Sequence, residues 1–311
     1  MSFLPRLHLL EFHEQPWVPA TIRHSVARIL TAFWVVQPAQ LPSPLRRLFT
    51  HLGYLSPSLC VLPPIRRAVQ TCGATCVIDC CAGSGGPTPV IERAYNNDTT
   101  TTTSTSTRTN VVAKSAARTD FYMTDLFPDV VAWKRAAGDR ATLKYVESSV
   151  DATDPPAAVR DMKAFRAFFL SFHHFDDALA KRVVKSAMKG DGFGVFELQS
   201  RTFTSLLSLV MLFPFTMLVT LITPSLRTSL SHLFFTFVVP IVPLIVMVDG
   251  FTSALRTRTS AEILHMVNEA REELGQHERD WEIEVGEAMV LKPANKAHWV
   301  TVARVTKSVT K

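Results

Sequence analysis

Residues 77–87, VIDCCAGSGGP, limit what this chain can fold into more than any other stretch. The apolar run ending in Asp79 has the character of a buried parallel strand. The cluster Gly83, Gly85 and Gly86 is a turn in which only glycine lets the backbone pass close to a ligand, and Pro87 and Pro89 suit the first turn of a helix. Strand, glycine turn and helix together make a nucleotide-cofactor pocket or an ordinary tight connection, and the rest of the chain has to decide between them.

The chain has 311 residues, enough for a sizeable core in one large domain or two smaller ones. With 47% hydrophobic residues and a mean hydropathy of +0.15, some segment must be more apolar than a core requires. The net charge is +6, and residues 1–67 hold seven arginines against Glu11 and Glu14. This excess is diffuse, without a dense basic run interleaved with aromatics. It suits an anionic membrane surface and gives no reason to expect nucleic acid. Five cysteines crowd around one strand: Cys60, Cys72, Cys76, Cys80 and Cys81. An odd, clustered set is a poor disulfide framework and points to a reducing compartment. The spacing also fails the zinc and iron–sulfur patterns, so no metal is expected and the thiols read as small buried hydrophobes. No secretory signal is visible at the start.

Residues 1–71 read as a helical, proline-punctuated cap, with an amphipathic helix near 22–33. Within it, LEFHEQPWVP places Glu11, His13, Glu14 and Trp17 close together, either facing a ligand or covering the core with Trp17. The core begins at 72–201. After the glycine turn, residues 96–110 form a threonine- and serine-rich tract with no apolar side chain, read as a disordered insertion. Strands are expected at 120–125, 143–146, 164–170 and 193–198, with a helix at 176–188 between the last two. Strands alternating with helices imply an α/β, doubly wound, mostly parallel sheet with its ligands at the carboxyl ends. Gly83, Asp125, Asp151, His173 and Glu197 all fall there.

Residues 202–226 contain no charged side chain, Arg227 interrupts, and 228–248 again contain none apart from His232. Each run is long enough to cross a hydrocarbon layer of roughly 30 Å as a helix. A spanning hairpin, a dip into one leaflet favoured by Pro214, Pro240 and Pro243, and an apolar lid over the site are the three readings of this 202–250 insertion. Arg256 and Arg258 then supply a basic flank for the cytoplasmic face. In the remaining core, 251–311, Ser260 is the expected N-cap of a helix to 274, and 281–285 and 299–305 pair as a closing antiparallel hairpin.

In order, DCCAGSGGP, TDLFP, SVDAT and SFHHF followed by a fifth strand, a helix and a strand pair resemble the class I S-adenosylmethionine-dependent methyltransferases over roughly residues 74–305. Within that family the chain is most similar to a subgroup with segments like HEQPWVP and DGFTSALRTRT. The resemblance implies a seven-stranded, Rossmann-like sheet and S-adenosyl-L-methionine as cofactor. Asp79, Ala82, Gly83 and Gly85 would line its methionine end, Asp125 would take the ribose hydroxyls, Leu126 would lie against the adenine, and Asp151 with Ala152 would contact its amine. The family's motif places a glycine where Cys81 stands.

Methyl transfer from a sulfonium needs alignment, and a base where the acceptor must lose a proton. His173 and His174 are the catalytic candidates, because an imidazole titrates near neutral pH; Glu197 is a third choice of more structural character. Asp154, Pro155 and Pro156 imitate the signature of amino-methylating nucleic-acid enzymes, but Ala157 stands where an aromatic would stack on a flipped base. The expected function is methylation of an apolar, lipid-like small molecule at oxygen or nitrogen, by a membrane-associated protein with a cytoplasmic catalytic domain. A non-catalytic membrane adaptor and a protein or RNA methyltransferase are the alternatives.

Overall fold

The computed structural model describes residues 4–37, 39, 41–101, 118–291 and 295–306. The strands are β1 (Cys76–Cys80), β2 (Asp120–Thr124), β3 (Leu143–Tyr145), β4 (Ala164–Phe169), β5 (Gly192–Glu197), β6 (Trp281–Leu291) and β7 (Asn295–Arg304). They form one seven-stranded sheet in the order β3-β2-β1-β4-β5-β7-β6. The first five are parallel, and β7 runs antiparallel to both β5 and β6. This is the doubly wound sheet with a closing hairpin that the strand pattern implies, with a hairpin longer than the two short alternating runs suggest. Every residue of β1, β4 and β5 is buried, as strands covered on both faces must be. Val77 packs on one face with Phe165 and Ala167, and Ile78 and Cys80 on the other with Ala164 and Phe168.

The helices that matter for the site are α1 (Ala20–Val35), α2 (Leu62–Cys72), α3 (Thr88–Thr101), α4 (Val130–Ala137), α5 (Asp177–Ala187), α6 (Phe203–Leu209), α7 (Leu212–Ile222), α8 (Ile241–Arg256) and α9 (Ser260–Glu273). Two expectations about them change. The start of the Thr/Ser tract is helical, because α3 runs on to Thr101. Asn96 is buried there, bonding Thr119 in both directions across the tract at 3.1 and 3.0 Å; residues 102–117 lie outside the described residues. The N-cap of α9 is Thr259 rather than Ser260, in a reciprocal capping box with Glu262. Cys60, Cys72, Cys76 and Cys80 are free and buried, and burial pushes the Cys80 thiol up to about 12.

The apolar insertion does not form two continuous helices. Among the described residues no single helix is long and apolar enough to cross a membrane, and the two runs bend by 46° and 73° at breaks. One face of the insertion packs on the N-terminal segment: Phe215 of α7 lies 5.1 Å from Phe33 of α1 and 6.2 Å from Phe49, centroid to centroid. His232, the one titratable group in the second run, is buried and bonds Thr220 Oγ1 at 3.0 Å. The other face is open, with Leu230 83%, Val238 68%, Phe203 62% and Met211 59% exposed.

Candidate active site

Two groups of side chains meet the carboxyl edge of the sheet. The first follows β1, β2 and β3. Cys81 leaves β1 with φ +70°, a left-handed conformation that costs a side-chain-bearing residue about 1–2 kcal/mol. A glycine would meet this backbone without strain, whereas Cys81 meets it under strain. Gly83 follows at φ +51° with open space where a Cβ would stand, and Gly85 at φ +106° lies against Met123 and Trp133. The turn is tied down from several sides. Ala82 N–H donates to Thr124 O at 3.0 Å, Gly83 N–H to Asp125 Oδ2 at 2.9 Å, and Trp133 Nε1–H to Gly83 O at 2.8 Å.

Asp125 stands just past β2, and its Oδ1 accepts Phe127 N–H at 2.8 Å. Each of its oxygens thus holds one backbone donor and retains a lone pair for a hydroxyl. Leu126 beside it is 47% exposed. The next loop is joined on by Val150 N–H to Asp125 O at 2.9 Å, and Asp151 turns there by accepting the N–H and Oγ1–H of Thr153 through Oδ1. Asp151 is exposed and Ala152 half-buried. All of these residues therefore share one edge, as the resemblance implies.

Asp79 differs from them in being wholly buried. Its Oδ2 accepts Thr88 Oγ1–H at the start of α3, and its Oδ1 has no partner. Burial, despite the Thr88 bond and with the Asp125 charge adding to it, drives its carboxyl far above the usual range. An orphaned buried carboxylate oxygen below a glycine turn fits the α-ammonium of a methionine-type ligand, which would restore its charge.

The second group lies past β4, where Ser171 opens the short 3-10 helix Phe172–His174. His173 is 2% exposed, with Nδ1 2.9 Å from Glu197 Oε2 and Nε2 3.6 Å from Glu11 Oε1. His174 is half-buried, with Nδ1 2.7 Å from Glu14 Oε1. Arg256 Nη1 stands 3.2 Å from Glu11 Oε1 and 3.4 Å from His174 Nδ1. One ring nitrogen cannot both donate to Glu14 and accept from Arg256, and the shorter bond to Glu14 prevails. Glu11 Oε1 also accepts Ser253 Oγ–H at 2.7 Å, and Asp249 takes the backbone N–H groups of Phe12 and His13 together with the His13 ring.

The HEQPW segment, the SFHHF loop and α8 thus close on one another through buried charge. This corrects two expectations. Trp17 does not cover the core, being 67% exposed; Glu11 is the buried member of that segment. Arg256 and Arg258 form no membrane-facing flank, since both are buried and paired inside. Glu197 is the direct partner of His173, and that ion pair keeps its carboxyl low against the upward push of burial. For His174, burial alone would depress the imidazole, but the Glu14 hydrogen bond and the charges of Glu11 and Glu14 raise it. The same contacts overcome burial at Glu14 and lower it to about 2. Glu11, His173 and His174 bring ligand atoms within 4.8 Å of one another, a set that would suit a divalent ion, but the Arg256 guanidinium already supplies positive charge at that point.

Sequence reasoning missed Asp249, Ser253 and Arg256 as members of this group. The signal was present: they stand at i, i+4 and i+7, a polar stripe on an otherwise apolar helix.

A seven-stranded sheet in this order, with one antiparallel strand, a glycine turn after β1 and acids after β2 and β3, is the architecture of the class I S-adenosylmethionine-dependent methyltransferases. No protein-family model and no curated protein matches the chain. Among solved structures, it is similar to the methyltransferase domain of bacterial CtHen1 (10% identity, TM-score 0.42, 78% of this chain and 96% of that one). It is also similar to the plantazolicin methyltransferase BpumL in complex with SAH (10%, 0.43, 91% and 97%). A third is LepI in complex with SAM (10%, 0.41, 78%), of which the chain spans about half, 47%. These values transfer no substrate and no residue role, and the site is read from its own geometry.

Proposed function

We propose that the chain is an S-adenosylmethionine-dependent methyltransferase acting on an apolar, lipid-like acceptor at a membrane surface. The observation that carries the reading is the cofactor edge: a left-handed glycine turn over the unpartnered Asp79 Oδ1, flanked by Asp125 with hydroxyl-accepting capacity. Bound there, the cofactor would supply an electrophilic methyl group on a sulfonium. Asp79 would hold the ammonium, Asp125 the ribose hydroxyls, Leu126 one face of the adenine, and Asp151 with Ala152 its amine edge.

The protein's part at the other end is proton transfer. His173, buried with both ring nitrogens turned to carboxylates, is a positioning residue. His174 is half-buried, with Nδ1–H engaged by Glu14, which leaves Nε2 to take a proton from an acceptor hydroxyl or ammonium. Its raised proton affinity means that it acts as a base from its neutral form, so turnover is expected to climb as pH rises through that raised value.

Membrane placement is supported by the open face of the insertion, with its breaks and prolines, and favours a dip into one leaflet. Fully burying each large apolar side chain is worth about 1.5–3 kcal/mol, so a handful of them supplies on the order of 5 kcal/mol or more. Titration calorimetry with S-adenosylmethionine tests the cofactor assignment: heat is expected from the native chain and none from Asp79→Ala. Absence of binding to the native chain would leave only the adaptor reading. Flotation with vesicles tests the second half, and Leu230→Glu with Val238→Glu is expected to leave the protein in the aqueous layer.

A further inference from the structure

Beside the buried charge group, the carboxyl end of β5, the adjoining ends of β6 and β7 and the start of α9 line an open cavity of about 890 Å³. Its wall mixes apolar surface with the hydroxyls of residues 200–205 and 257–260 and three cations, Arg201, Arg258 and Lys296. Arg201 and Arg258 are only 4% and 2% exposed. Each is anchored through its Nη atoms: Arg201 Nη2 lies 2.6 Å from Glu262 Oε2. Arg258 donates to Phe172 O at 3.2 Å, Phe175 O at 2.8 Å and Asp177 Oδ1 at 2.8 Å. Each also keeps an Nε–H with no partner.

Arg201, Arg258 and Lys296 are each paired with a carboxylate, so an anion would bind here as a second acceptor for these cations and for the hydroxyls of the wall. The first turn of α9, at Ser260 and Ala261, adds the positive end of a fourteen-residue helix to the wall. The acid in the wall, Glu287, is engaged by Lys296. Two further relations decide what kind of anion fits. Thr204 and Ser205 bring α6 to the cavity, while Phe203 and Leu207 of the same helix are each 62% exposed, so an apolar surface begins at the cavity rim. The cavity also adjoins the proton-transfer group. Arg256 belongs to that group and Thr257 and Arg258 to the cavity, while Glu197 of the group stands in register with His298 of the cavity wall.

We propose that this cavity binds the anionic head, carboxylate or phosphate, of an amphiphilic acceptor whose apolar tail lies along α6 and the insertion. The inference rests on the methyltransferase reading for the word acceptor, and on the cavity alone for the head group.

The test is binding of decyl phosphate, decanoate, decanol and inorganic phosphate to the full chain by calorimetry, with S-adenosylmethionine titrated in parallel. A charged hydrogen bond is worth about 1.5–3 kcal/mol, so at least one of the two charged amphiphiles is expected to bind about tenfold or more tighter than decanol. Which of the two does so tells phosphate from carboxylate. Arg258→Gln is expected to abolish that preference. Because a buried arginine also holds the SFHHF loop, two surface variants accompany it: Lys296→Gln, which removes a rim charge, and Thr204→Trp, which fills the mouth. Both are expected to reduce the preference several-fold while leaving cofactor binding intact. Equal affinity for decanol and both charged amphiphiles, or a preference untouched by both surface variants, overturns the head-group assignment. Inorganic phosphate binding as tightly as decyl phosphate overturns the amphiphile. Head-group selectivity without any cofactor binding sinks the methyltransferase reading and leaves the anion site standing.

Discussion

The two halves of the carboxyl edge are built in opposite ways. On the β1–β3 side, Gly83, Asp125 and Asp151 are held by turn and loop contacts, several of them to groups two residues away, and all three residues reach solvent. On the β4–β5 side, Glu11, His173, Glu197 and Arg256 come from four distant segments and are at least 97% buried. The first arrangement presents polar atoms to a ligand and contributes little to stability. The second binds the fold together, because a buried charge that loses its partner is left uncompensated.

The largest expected effect follows from that contrast. Glu11→Ala or Glu197→Ala strands His173 and Arg256 and is expected to cost about 3–5 kcal/mol in denaturant unfolding. Asp125→Ala removes hydrogen bonds at a half-exposed position and is expected to cost only about 1 kcal/mol. Similar losses at both places would show that the two sides do not differ in kind.

Asp79 is the exception on the cofactor side, and Asp79→Asn sharpens the comparison. Cofactor affinity is expected to fall about 10- to 100-fold with the loss of a charged contact. Stability of the ligand-free protein at neutral pH is expected to rise. The folded protein holds this proton more tightly than the unfolded chain, so the native carboxyl disfavours folding increasingly as pH rises from its unfolded value toward its folded one. Asparagine removes that dependence. A variant that is both less stable and unchanged in cofactor affinity would place Asp79 in a purely structural role.

Cys81→Gly tests the strain in the turn. It is expected to stabilise by about 1 kcal/mol with cofactor affinity unchanged, whereas Cys81→Val should destabilise, since β-branching worsens a left-handed backbone.

The smallest effect is the pH dependence of the N-terminal segment. The His174 contribution is full below its unfolded value of 6.5 and is lost as pH rises through the raised folded value. The Glu14 contribution is full above 4.5 and is lost as pH falls through about 2. Proteolytic cleavage near residues 6–14 should therefore be slowest between about pH 4.5 and 6.5, and His174→Gln should flatten the alkaline limb. Cleavage independent of pH would detach the segment from this ion pair.

The strands, the glycine turn and the acids at strand ends were legible because their determinants are local. A glycine turn after an apolar strand, acids at strand ends and alternating periods announce themselves within windows of ten residues. The insertion was legible as apolar, and its prolines already favoured a broken path over a spanning hairpin of continuous helices. The second bend falls at Pro240, which cannot continue a helix. The charge group was legible only in fragments. HEQPW, SFHHF and DGFTSALRTRT each stood out, but nothing along the chain states that Glu11 will meet Ser253 or that Arg256 and Arg258 will be buried rather than displayed.

By itself the sequence determined the stretch VIDCCAGSGGP, the sheet it organises and the acids that follow it, since backbone sterics and strand periodicity act between near neighbours. Only the tertiary structure decided which charges are paired. Burial strips Glu11 of water, and its cation, Arg256, comes from a segment more than two hundred residues away.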